Sequence, residues 1–209
     1  MKKNTLVIAV FILLGLLACR AFAESSVWKV SRGENYFYVG GTIHVLTDSD
    51  HPLPEEFDIA YRDASSIVFE TDLLAAQSSE FQAQLMGAMT YGDTRTLASE
   101  LAPTTYRRLE EFMASRGLPI ENFSGFQPWG MTLMITMHEY QRLGMLPNYG
   151  VDVYFSGLAL TDHKVVSSLE TIEDQLDVLA SMAELDPNLA IEYTLLDLER
   201  LPEIIALLL

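Results

Sequence analysis

Cysteine occurs once, at Cys19, and nowhere after it. The rest of the chain therefore has no intrachain disulfide, thiolate metal site or cysteine nucleophile. Positive charge is also scarce. There are 13 Lys and Arg against 29 Asp and Glu, a formal net charge of −16. A surface of that sign repels phosphate backbones, which argues against nucleic acid as a partner and suits cations or basic peptides. Beyond the N-terminal stretch no apolar run is long enough to span a bilayer. Tandem repeats and low-complexity tracts are lacking as well.

What is present begins with an export signature. Lys2 and Lys3 precede an apolar run from Leu6 to Leu17, and small residues close it at Ala21–Ala23. This order predicts a signal peptide over residues 1–23, with cleavage before Glu24. "LLAC" at Leu16–Cys19 offers a competing lipoprotein reading, in which Cys19 carries the anchor. Either route takes the protein out of the cytoplasm, to a periplasmic or secreted location. The remaining residues, 24–209, are enough for one domain with a real core. The segment removed holds three of the basic residues and none of the acidic ones, so the mature chain is more acidic still.

The stretch "YFYVGGTIHVL" at residues 36–46 alternates like a strand. Phe37, Val39, Gly41, Ile43 and Val45 share a face expected to pack inward; Thr42 and His44 share the other. Gly40 and Gly41 have no Cβ, so a ligand, an ion or another backbone can approach closely there. The competing reading is a kinked edge strand whose histidine is solvated or satisfied. "SVWKVS" and this stretch, joined by "RGEN", read as an N-terminal hairpin. "SSIVFETD" reads as a strand covered on both faces. Residues 75–145 read as a helical insertion, with Pro128 opening and Gly144 closing an apolar, buried helix. "YGVDVYFSGLAL" begins a further helix, and "KVVSSLE" is the next strand. Thr171 and Asp174 form a capping-box pair ahead of an apolar stripe at Ile172, Leu176, Leu179 and Met182. Asp186 and Pro187 start a last helix. The expected class is α/β: a mixed sheet with an N-terminal hairpin, strands flanked by helices, and the helical insertion.

"VFETD" and "SLETIEDQ" each run an apolar strand into Glu–Thr, which places Glu70 and Glu170 at strand carboxyl ends, where ligands gather in open α/β sheets. Imidazole and carboxylate are the usual ligands of a hydrolytic divalent metal, so His44 and Glu70 are a candidate pair. By itself the pair is weak, because Glu70 also suits a helix cap. His51, His138 and His163 read as surface or satisfied histidines.

Six pieces in order, "VWKV", "YVGGTIHVL", "VFETD", "QPW", "YGVDVYF" and "SLETIEDQL", make the chain similar to the TraB/PrgY/GumN family. That family is related to the TIKI proteases and more distantly to erythromycin esterases and ChaN haem-binding lipoproteins. The resemblance implies that Gly41–Thr42–Ile43–His44 is the family's first G-x-x-H. It also implies that His44 and Glu70 are catalytic and metal-ligating, for Mn, Co or Zn. Gly40, Gly41, Asp152 and Glu170 would line the site and bind the cofactor or ligand. The implied chemistry is metal-dependent hydrolysis, with peptides a candidate substrate. A second G-x-x-H is expected to complete such a site, and none occurs in the 209 residues. The corresponding expectation is a domain whose C-terminal part is missing. On that view "EIIALLL" exposes apolar surface and promotes self-association. The alternatives are a non-catalytic protein that sequesters a peptide, a small molecule or a cofactor, and an inactive remnant.

Overall fold

The structure, a computed structural model, describes residues 25–208. The expected export segment, Cys19 included, lies outside the described residues.

The chain opens with an antiparallel hairpin, β1 (Val27–Arg32) and β2 (Asn35–Gly40). Arg32 pairs with Asn35, and Gly33 supplies the left-handed turn residue at φ +62°. Helix α1 (Glu55–Asp63) follows, with Glu55, Glu56 and Asp58 in its first turn, where the helix dipole favours acids. It leads into β3 (Ser66–Phe69). Five helices come next: α2 (Leu73–Ala76), α3 (Ser79–Met89), α4 (Leu97–Glu100), α5 (Pro103–Ser115) and α6 (Pro128–Arg142). Positive φ at Gly117 and Gly144 lets the chain turn away after α5 and α6. Then come α7 (Val151–Thr161), β4 (Val165–Ser168), α8 (Ile172–Ser181) and the long α9 (Pro187–Leu208). Strand β4 pairs with β3 in parallel, from Ser66↔Val165 to Phe69↔Ser168. The mixed α/β class, the hairpin and the helical stretch over 75–145 are therefore as expected. No helix among the described residues is long and apolar enough to cross a membrane.

Two cores hold the described residues together. The larger packs α5, α6 and α9 through side chains such as Leu109, Met131, Ile135, Ile191 and Leu195, each at most 2% exposed. The "QPW" motif fastens this helical part together. Gln127 Nε2 donates to the carbonyls of Ala88 (2.9 Å) and Thr90 (3.3 Å), while Trp129 Nε1 donates to Gln127 Oε1. The smaller core joins α1, β3 and α7, with the rings of Phe57 and Phe155 stacked 6.0 Å apart. The capping box at Thr171 and Asp174 is formed, and the α8 stripe is half-buried.

Three expectations fail, each for a physical reason. The strand expected over 36–46 ends at Gly40, and His44 lies in the loop beyond it. The last exchange with the β1 side is Gly41 N–H to Ser26 O at 2.7 Å. From there the backbone finds partners elsewhere: Val151 N–H donates to Ile43 O, and Leu46 bridges to Leu146. The face expected to pack inward is open as well. Phe37, Val39 and Ile43 are 60%, 46% and 53% exposed, and only Val45 is buried. A two-stranded ribbon with no third strand has little to pack against. Likewise β3 is covered on one face only, since Val68 is 52% exposed. Helix α6 is largely buried, as expected, and within it lies a charge, Glu139, which the arginines Arg116 and Arg142 bind.

Candidate functional site

Three segments from distant parts of the sequence meet at His44. The loop carrying it is pressed against the start of α7. A Cβ at Gly150 would lie 2.3 Å from His44 O and 2.7 Å from its carbonyl carbon. Only glycine permits this backbone approach. The contact aligns Asp152, in the first turn of α7, with the imidazole. His44 Nδ1 and Asp152 Oδ2 are 2.7 Å apart. Asp152 is buried, 6% exposed, and the helix N-terminus favours its negative charge.

With Nδ1 donating to Asp152, His44 turns its other nitrogen outward. Nε2 lies 3.9 Å from Glu70 Oε2. Glu70 is held from its far side by Gln175, whose Nε2 donates to Glu70 Oε1 at 3.2 Å and also to Glu170. Parallel pairing puts the two glutamates side by side at the carboxyl ends of β3 and β4, with Glu170 N–H donating to Glu70 O. The structure thus brings His44, Glu70 and Asp152 into one cluster, with Glu170 adjoining through Gln175. Asp152 bonds the histidine directly. Gln175, inside the "SLETIEDQL" piece, was not among the candidates; its place five residues after Glu170 was the available signal.

Charge follows geometry. The hydrogen bond that His44 donates to Asp152, helped by the charges of Asp152 and Glu70, outweighs desolvation and raises the His44 pKa above 6.5. The folded state therefore favours protonated His44. This contribution to stability is complete below 6.5 and is lost as pH rises through the raised value.

The remaining candidates are placed as follows. Gly40 lines a large groove beside the cluster, its missing side chain facing the Phe57 ring at 3.4 Å. The bare face of Gly41 is taken up by Ser26, 3.1 Å from where a Cβ would stand. His51 is satisfied structurally: its Nε2 meets Tyr149 O at 2.8 Å and its ring lies against Tyr154. Among the described residues no group of three or more His, Cys, Asp or Glu side chains is arranged to hold a metal ion.

The profile of the TraB/PrgY/gumN family matches residues 26–208. The chain is 22% identical over 152 residues to the uncharacterized protein YbaP of Escherichia coli K12, which covers 73% of this chain and 54% of that protein. It is 21% identical over a stretch of the same length to YbaP of Shigella flexneri. The chain spans about half the length of these curated relatives. No solved structure matches it.

Proposed function

The chain belongs to the TraB/PrgY/gumN family, and on that premise we propose that the gap between His44 and Glu70 is a divalent-metal site for hydrolysis, in an exported protein. The observation that carries the reading is the Asp152–His44 pair, which leaves Nε2 aimed at the Glu70 carboxylate. A carboxylate behind a ligating histidine fixes its tautomer and raises its basicity, the usual support for a metal ligand. The donor set of one imidazole nitrogen and one carboxylate oxygen suits Mn²⁺, Co²⁺ or Zn²⁺. A cation held there would supply Lewis acidity to a water and to a substrate carbonyl. His44 and Glu70 would hold it, Asp152 would orient the imidazole, and Gln175 would keep Glu70 from swinging away.

A hydrolytic centre ordinarily has three protein ligands. Two of them imply weak binding, and this favours the second reading, a protein that holds its ligand without cleaving it. Calorimetric titration with Mn²⁺, Co²⁺ and Zn²⁺ separates the cases. Wild type is expected to bind weakly at pH 8 and His44→Ala not at all. Protons compete for Nε2, so affinity should fall by at least about fourfold between pH 8 and pH 6. Equal affinity in wild type and His44→Ala would remove the metal site.

Asp152→Asn tests the orienting role. The amide keeps the size of the side chain but not its charge. The His44 pKa, read by NMR, should fall back toward 6.5, and metal affinity should drop about 10-fold or more. An unchanged His44 titration would show that Asp152 only fills space.

A further inference from the structure

The two small sheets stop short of one another. Among the described residues β2 pairs only with β1, and β3 pairs only with β4. Each has a second edge that no backbone group among the described residues pairs with. Both edges line the same groove, of about 900 Å³. Residues 36–40 contribute consecutively along one wall and residues 66–70 along the other. Consecutive lining is what a strand edge gives; a strand face would contribute every second residue. The floor is apolar and comes from α1 and α7, through Phe57, Ala60, Val151 and Phe155. One end of the groove reaches Glu70 and Asp152.

We infer that this groove is a slot for one extended peptide strand from another protein, which would pair with β2 on one side and β3 on the other and make a single five-stranded sheet. An open edge is a template for strand addition. Five residues on each wall offer about 17 Å of edge, the length of an ordinary strand. The apolar floor requires apolar side chains at alternate positions of the ligand.

Charge sets the ligand's direction. The charged side chains lining the groove are Asp63, Glu70 and Asp152, all acidic. Asp63 is already engaged: Tyr38 donates to it at 2.8 Å, Lys29 lies 3.7 Å away, and these contacts hold its carboxyl below the usual range. Asp152 is buried against His44, so the open negative charge is that of the exposed Glu70, and a basic residue of the ligand belongs at that end. This extends the proposed function by giving the place and the backbone pairing that would hold a peptide, and it rests on that reading only for what happens at His44.

The probe is the heptapeptide acetyl-Thr-Val-Thr-Val-Thr-Val-Lys-amide, titrated without metal into wild type and His44→Ala. Both proteins are expected to bind it saturably. Hydrogen exchange should slow at the amides of residues 36–40 and 66–69. Methylating the three valine amides keeps the side chains but removes edge donors, and should weaken binding at least tenfold. Replacing the lysine by glutamate should weaken it severalfold. Absence of saturable binding, equal binding of the methylated peptide, or protection confined to other surfaces would overturn the slot. So would a wild-type dimer whose slot amides are protected before peptide is added. Peptide binding without metal binding would leave the slot standing and remove the hydrolytic reading; metal binding without peptide binding would do the reverse.

Discussion

Gly150→Ala is expected to destabilise the protein by about 3 kcal/mol and to dismantle the His44 cluster, far more than a single methyl group ordinarily does. The added Cβ would stand 2.3 Å from His44 O and 3.1 Å from Pro147 O. Both are backbone atoms, so no side chain can rotate aside. Relief requires the His44 loop to move off the start of α7. That movement stretches the bond from Val151 N–H to Ile43 O and separates Nδ1 from Asp152. Urea unfolding should show the lost stability, and the His44 pKa should return toward 6.5. Gly157→Ala is the control. It lies on the same helix, where a Cβ would meet nothing within 4 Å, and there alanine should stabilise by about 0.5–1 kcal/mol. Equal stability of Gly150→Ala and wild type would mean that the loop is not pressed against α7 as described.

Glu139→Ala should cost about 3 kcal/mol, because it removes the centre of a buried ionic network and leaves a cavity. Glu139 is wholly buried in α6. Its Oε1 accepts from Arg116 Nε at 3.0 Å, and its Oε2 accepts from Arg142 Nε and Nη2 at 3.1 and 3.0 Å. Burial pushes this carboxyl up, but the two guanidiniums outweigh it and hold the pKa below its ordinary 4.5. A lowered folded value stabilises above the unfolded one and is lost as pH falls through the folded one. The stability gap between wild type and Glu139→Gln should therefore be constant above about pH 5.5 and narrow in acid. A gap that does not change with pH would mean that Glu139 is not charged in the folded protein.

Local signals in this chain were readable because their partners are near in sequence. Gly33 marks the hairpin turn, Gly117 and Gly144 mark helix ends, and Thr171 reaches Asp174 three residues on. Glu70 and Glu170 were placed at strand ends by a repeated apolar–Glu–Thr pattern, and the parallel register sets them together. What could not be read depends on distant partners. Alternation at 36–46 reports a pattern of side chains, not whether a neighbour covers them, so Phe37 and Val39 look internal and are not. His44 looks like a strand residue because the competing bonds come from residues 146–151. Asp152 was visible as a family residue, but its bond to the imidazole spans 108 positions. Glu139 is one polar residue in an apolar helix, and its two cations sit on either side of it in sequence, 23 residues before and three after.

The parallel register of β3 and β4 also bears on how the protein folds. Pairing Ser66 with Val165 closes a loop of almost a hundred residues, and the entropy of closure grows with the logarithm of loop length. Most of the intervening chain is helical and gives α5 and α6 to the larger core, which α9, beyond β4, completes. The β3–β4 pair and the contact between His44 and Asp152 need ends already brought close, and contacts of long sequence separation are the slow ones to form. Compaction of the helices shortens the distance that remains, so the His44–Asp152 cluster is expected to form late in folding, on a scaffold that is already in place.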